Sequence, residues 1–219
     1  MKITTGQKLL GLGILMVIID QVTKVLVKTH MFLGQHFDVL GDWFKIAFVE
    51  NKGMAFGMSF GGIIGKYALS SFRVILSILL IWWIAQLLKK RASEKQSGLA
   101  VTVPMGVLVG LTLITAGAIG NIIDCLFYGQ IFTESTYDTV ASFGGSYAPF
   151  LQGRVVDMLY FPLIDTYLPD WMPLVGGRHF TFFDPVFNYA DSCVTVGTIY
   201  LVLFQYKFFM KEENWESKA

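Results

Sequence analysis

Cysteine is nearly absent from this chain of 219 residues: Cys125 and Cys193 are the only two, too few for a disulfide framework and without metal-ligand spacing. The bland reading of Cys125 is a small buried residue, and a bond to Cys193, open to it in an oxidising compartment, has no support from spacing. Histidine is scarce as well, and His30, His36 and His179 fall outside any paired motif, which argues against a metal site. Charge is thin: 15% of residues are charged and the net charge is +1, so no global basic field points to nucleic acid. The chain is instead 54% hydrophobic, too apolar for an ordinary soluble domain of this length. A bilayer is its natural solvent, and membrane lipids are its first expected partners.

Four apolar stretches, at about 9–27, 67–88, 101–123 and 186–209, approach the ~20 residues a helix needs to cross ~30 Å of hydrocarbon. The first follows Lys2 and Lys8 like a secretory signal, but Asp20 and Lys24 come after the apolar run and no small-residue cleavage pattern appears, so it reads as an uncleaved span. Lys89, Lys90, Arg91 and Lys95 after the second span, Lys207, Lys211 and Lys218 in the tail, and the two amino-terminal lysines place those segments in the cytoplasm by the positive-inside rule. Both termini are then inside, and segments of about 28–66 and 125–184 lie outside. The expected fold class is an all-α membrane protein of four transmembrane helices with a small extracytoplasmic β-cradle and surface-lying insertions, in one domain over 1–219.

The cradle is expected from Phe37-Asp38-Val39 and Phe44 to Glu50, aromatic and β-branched runs punctuated by Gly34, Gly41, Gly53 and Gly57. Residues 130–148 are rich in Ser, Thr and Gly and lack a sustained apolar period, which predicts an irregular insertion. The apolar and aromatic run 155–161, followed by Pro162, Pro169 and Pro173, predicts structure lying near the headgroups, a comfortable place for Tyr160, Tyr167 and Trp171.

Polar residues in or beside the spans need a reason, because a carboxylate near lipid is costly unless paired, neutralised or used. Asp20 can pair with Lys24 one turn on, or take a direct part in binding. Arg73 is expected to snorkel or to pair with an acidic neighbour. Gly106 and Gly110 carry the spacing of close helix packing. Asn121 and Asp124 share one helical face, and Asn188 and Asp191 repeat that spacing at the start of the fourth span. A helix cap suits Asn188; for Asp191, placement at the mouth of the bundle is the better account. Asp157 sits in the apolar run Val155-Val156-Asp157-Met158. Two carboxyls brought face to face can share one proton, one acting as base and the other as acid, which suits peptide hydrolysis.

Five blocks occur in order: Asp20-Gln21-Val22-Thr23-Lys24, Asn51-Lys52-Gly53-Met54-Ala55-Phe56-Gly57, Gly117 to Asp124, Val155-Val156-Asp157, and Phe187-Asn188-Tyr189-Ala190-Asp191-Ser192. Together they resemble the lipoprotein signal peptidases, the bacterial type II signal peptidases that remove the signal peptide from lipid-modified prolipoproteins. The resemblance implies that Asp157 and Asp191 are the catalytic aspartates, that Asn51, Asn121 and Asn188 hold substrate or the dyad, and that Asp20 supports the site. Lys24, Gly53, Asp124 and Ala190 lie in the same blocks as supporting positions. It further implies an aspartic endopeptidase of the bacterial cytoplasmic (inner) membrane, without metal or other cofactor, acting as a monomer at the outer face. Its partner would be a diacylglyceryl-modified prolipoprotein, cut before the lipidated cysteine.

Three departures stand out. Cys125 occupies the position after Asp124 where the family usually has arginine, and Arg154 or Arg178 is the expected substitute. The intervals 124–157 and 157–191 are both longer than usual, so two insertions flank Asp157. Two other classes fit less well. A proton-coupled transporter would hold its acids near the midplane of a larger bundle, and a non-catalytic assembly factor would use its aspartates only as caps and ion pairs.

Overall fold

The computed structural model describes residues 3–51 and 62–210. The second sequence block, from Lys52 to Gly57 and with it Gly53, lies outside the described residues. Helix α1 (Thr5–His30) opens on a capping box in which Thr4 and Gln7 exchange side-chain and backbone hydrogen bonds. Strands β1 (His36–Leu40) and β2 (Phe44–Asn51) follow, then α2 (Gly62–Gln96) and α3 (Met105–Ile123). A π-helical turn, Asp124–Tyr128, and the single turn α4 (Gly129–Ile131) continue α3. Strands β3 (Val155–Tyr160), β4 (Ile164–Tyr167), β5 (His179–Phe182) and β6 (Val186–Phe187) lead into α5 (Tyr189–Phe204).

Among the described residues three helical stretches, Thr5–His30, Ile64–Gln96 and Met105–Ile131, are long and apolar enough to cross a membrane, and Tyr189–Phe204 is a shorter apolar helix. The stretch expected to span from 186 is thus trimmed at both ends. Val186 and Phe187 pair with β3, Asn188 caps the helix, and the backbone leaves helical geometry at Gln205. Helix α1 is inside out relative to a soluble helix: Asp20, Lys24 and Lys28 are buried while Ile18, Val22 and Leu26 are exposed. That is the arrangement lipid favours, since polar groups must find partners within the bundle.

The all-α expectation is too narrow. Four antiparallel strands form a sheet in the order β1-β2-β3-β6, and β4 pairs with β5 as a separate hairpin. The cradle expected from residues 37–50 is present as β1 and β2. The run 155–161, expected to lie at the surface, is instead the sheet's inner strand: Val155 to Met158 are buried, with Asp157 opposite Val49. Its β-branched and long apolar side chains pack into a core of Met31, Phe48, Tyr128, Phe132, Ala141, Val156 and Met158. A second core of Leu9, Leu87, Val103, Val107, Leu108, Leu111 and Leu201 fills the other end of the bundle.

Glycine lets α3 and α5 approach closely. A Cβ on Gly110 would lie 2.5 Å from Leu201, one on Gly106 2.5 Å from Tyr200 and Gln205, and one on Gly117 would meet the Ala190 carbonyl. The insertion 130–148 is irregular, as its composition predicts, with one isolated bridge between Phe132 and Phe143.

Candidate active site

Asp157 and Asp191 reach the site from different elements, the first from buried β3 and the second from the first turn of α5. Asn188 joins them. As the α5 cap it accepts from the Asp191 N–H at Oδ1 (2.9 Å), and its own N–H donates to Asp191 Oδ2 (3.3 Å). Its Nδ2 donates to Asp157 Oδ1 at 2.7 Å and to Asn121 Oδ1 at 3.0 Å. Asn121 Nδ2 closes the ring by donating to Asp191 Oδ1 at 2.8 Å. Asp191 therefore does take part in a cap, as the residue that completes the capping box. Asn51, the last residue of β2, also donates to Asp157. Burial, with the negative charge of Asp191 as the next cause, pushes Asp157 up to about 7.

Beneath this ring lies a fully buried ion cluster. Lys24 Nζ is 2.9 Å from Asp20 Oδ2 and 2.9 Å from Asp124 Oδ2, and it donates to Asn121 Oδ1 at 2.9 Å. Gln21 Nε2 donates to both carboxylates and to the Gly120 carbonyl, and Tyr128 donates to Gln21 Oε1. Each carboxylate also holds a backbone: Asp20 Oδ1 accepts from Ala190 N–H (2.9 Å), at the start of α5, and Asp124 Oδ2 from Val156 N–H (3.2 Å), beside Asp157. One ammonium thus fixes the positions of both elements that carry the aspartates. Gly120 is required because a Cβ there would sit 2.5 Å from Asp20 Oδ2.

Two expectations about cations are corrected. Arg154 is engaged instead by Glu50 Oε2 (3.0 Å) and Glu134 Oε1 (2.7 Å). Arg178 is exposed next to the β4–β5 hairpin. The cation beside Cys125 is Arg73 from α2, whose Nη1 is 3.8 Å from the Cys125 sulfur. No acidic partner of Arg73 occurs among the described residues, so the expected ion pair is absent there. Cys125 and Cys193 are both free thiols.

Gln21, Tyr128 and a second cluster were not singled out from the sequence. In that cluster buried Lys28 pairs with Glu50, which also holds Arg154, and Ser135 donates to Glu50 at 3.1 Å. The signal was available: Asp20, Lys24 and Lys28 recur every fourth residue on one face of α1, and a span with one charged face must carry it inward. Among the described residues no group of three His, Cys, Asp or Glu side chains could hold a metal.

Comparison with known proteins points the same way. The family model described as signal peptidase (SPase) II matches residues 12–207. The lipoprotein signal peptidase of Porphyromonas gingivalis is 44% identical over 204 residues, covering 92% of this chain and 84% of its own. That of Amoebophilus asiaticus is 37% identical over 90% of this chain and 76% of its own. A bacterial membrane enzyme solved by the in meso method at 2.3 Å shares the fold with a TM-score of 0.57 at 24% identity, over 91% of this chain and 88% of that one.

Proposed function

The chain belongs to the signal peptidase II family, and from that premise we propose that it is a membrane-embedded aspartic endopeptidase. Its substrates are diacylglyceryl-modified prolipoproteins, cleaved before the lipidated cysteine. The observation that carries the chemistry is the single hydrogen-bonded ring that ties Asp157 and Asp191 together through Asn188 and Asn121. Burial raises Asp157, which favours it as the holder of the shared proton, and Asp191 accepts from Asn121 Nδ2 and the Asn188 N–H at the amino end of α5. The ionised carboxylate takes a proton from a water as that water attacks the scissile carbonyl, and the protonated one donates to the developing oxyanion. The substrate strand runs along the Asn51 end of β2, and its acyl chains stay in the bilayer.

In this reading the chain crosses the bacterial cytoplasmic membrane four times, with both termini in the cytoplasm, the dyad at the outer face and one chain sufficient for activity. The cluster Lys89, Lys90 and Arg91 at the far end of α2 supports that orientation. The test is purified protein in nanodiscs given a diacylglyceryl-modified precursor. Wild type should release the signal peptide, while Asp157→Asn and Asp191→Asn should not. A fully active Asp191→Asn enzyme would reject the mechanism, and no release by wild type would reject the assignment.

A further inference from the structure

Helix α2 carries a polar ladder on one face: Lys66, Ser70, Arg73 and Ser77, at i, i+4, i+7 and i+11. The ladder faces the loop 149–153 and the π-helical turn after α3. Lys66 Nζ donates to the Gln152 carbonyl at 2.6 Å, Ser70 Oγ to the Leu151 carbonyl at 3.2 Å, and Arg73 reaches Cys125. Gly153 N–H, bonded to the Cys125 carbonyl at 2.9 Å, holds that loop against the π turn. The ladder is underused at its centre. Arg73 has five N–H donors, yet its one partner among the described residues is a thiol, a weak acceptor. Ser77, one turn deeper and 5% exposed, has a buried Oγ without a partner among the described residues, and on the loop side the buried Gln152 Nε2 likewise has none among them. Buried donors without acceptors are costly and infrequent.

Depth indicates what would satisfy them. Counting ~20 helical residues up from Lys89, the hydrocarbon ends near residue 69, which puts Arg73 about 6 Å beneath the outer boundary. Ester oxygens of glycerolipids lie at that boundary, within reach of a long arginine side chain extending from residue 73 toward the outer end of α2. This junction also adjoins the chemistry, because Cys125 follows Asp124, whose carboxylate holds the N–H of Val156 next to Asp157.

We propose that the junction of α2, the π turn and loop 149–153 binds the oxygen-rich glyceryl ester region of a lipid, with Arg73 and the Gln152 amide donating to it. Resting on the peptidase reading, the occupant is the diacylglyceryl group of the substrate, and Arg73 positions the scissile bond through that lipid. A membrane phospholipid offers the same oxygens.

The test uses two synthetic precursors of one sequence, with the glyceryl chains joined by ester or by ether bonds, the latter lacking carbonyl acceptors. Wild type in nanodiscs should show a KM about tenfold or more lower for the ester, as expected for hydrogen bonds to a charged donor. Arg73→Gln should bring that ratio close to 1, and Arg73→Lys should restore part of it; thermal unfolding checks that each variant is folded. A second arm needs no turnover: native mass spectrometry compares retention of diacyl and dialkyl phosphatidylglycerol by wild type and Arg73→Gln. Loss of ester preference only in the first arm identifies the substrate lipid, and loss in the second a resident phospholipid. Equal ester preference for wild type and Arg73→Gln in both arms overturns the proposal. Failure of wild type to cleave either precursor would count against the peptidase reading, leaving the retention arm to decide the lipid site.

Discussion

Replacing Asp157 by Asn should stabilise the protein while abolishing its activity, and the gain should depend on pH. Asp157 ionises at about 7 in the folded chain against an ordinary 3.8. Between those values the unfolded chain gives up the proton and the folded chain keeps it, so the native state binds more protons and loses stability as pH rises. Below about pH 4 both forms are protonated and no penalty exists; above about 7 both are ionised and the penalty is complete. A gap of about three pH units at 1.36 kcal/mol each gives an upper bound of about 4 kcal/mol. The introduced asparagine cannot ionise, and its amide oxygen can still accept from Asn188. The melting temperature of Asp157→Asn minus that of wild type, followed by intrinsic fluorescence in one detergent, should be near its minimum at pH 4 and climb through pH 7 to a plateau. At ~2–4 °C per kcal/mol for a chain of this size, the rise is of order 10 °C. Parallel melting curves from pH 4 to pH 8 would refute the reasoning, since burial beside Asp191 would then impose no ionisation cost.

Lys24→Met leaves Asp20 and Asp124, both essentially unexposed, as neighbouring carboxylates without their cation, and should cost about 3–5 kcal/mol. Adding Asp20→Asn and Asp124→Asn to that variant should recover most of the loss in chemical unfolding but not the cleavage activity. Gly120→Ala drives a methyl to 2.5 Å from Asp20 Oδ2 and 3.1 Å from Ala190 Cβ, which should cost about 1–3 kcal/mol and reduce cleavage by displacing the start of α5. Gly11→Ala, with nothing within 4 Å, should be neutral or up to ~1 kcal/mol stabilising through helix propensity; equal effects of the two substitutions would contradict the packing account.

Much of this arrangement is legible in the chain itself, for physical reasons that attach to particular residues. Long apolar runs can only be helices in lipid, because every backbone polar group must be satisfied internally, so α1, α2 and α3 follow from composition and length. Asn188 declares the start of α5 because its side chain supplies the acceptor that a helix amino end lacks. The alternation of aromatic and β-branched residues in 37–50 is enough for β1 and β2. The role of 155–160 was not legible, since an apolar run beside a membrane has the same composition whether it lies on the headgroups or is covered by a sheet neighbour. Only its pairing with β2 distinguishes the two.

The sequence by itself determined which groups had to be reconciled with lipid: Asp20, Lys24, Asn121, Asp124, Asp157, Asn188 and Asp191, each too polar to remain without a partner. Tertiary structure alone decided who the partners are. It set Lys24 between two carboxylates, turned Arg154 toward Glu50 and Glu134, and brought Arg73 to Cys125 from 52 residues away in the chain. The reason is that desolvation cost is a property of each residue and its depth, whereas the choice of counter-charge depends on distances of a few ångströms between elements remote in sequence.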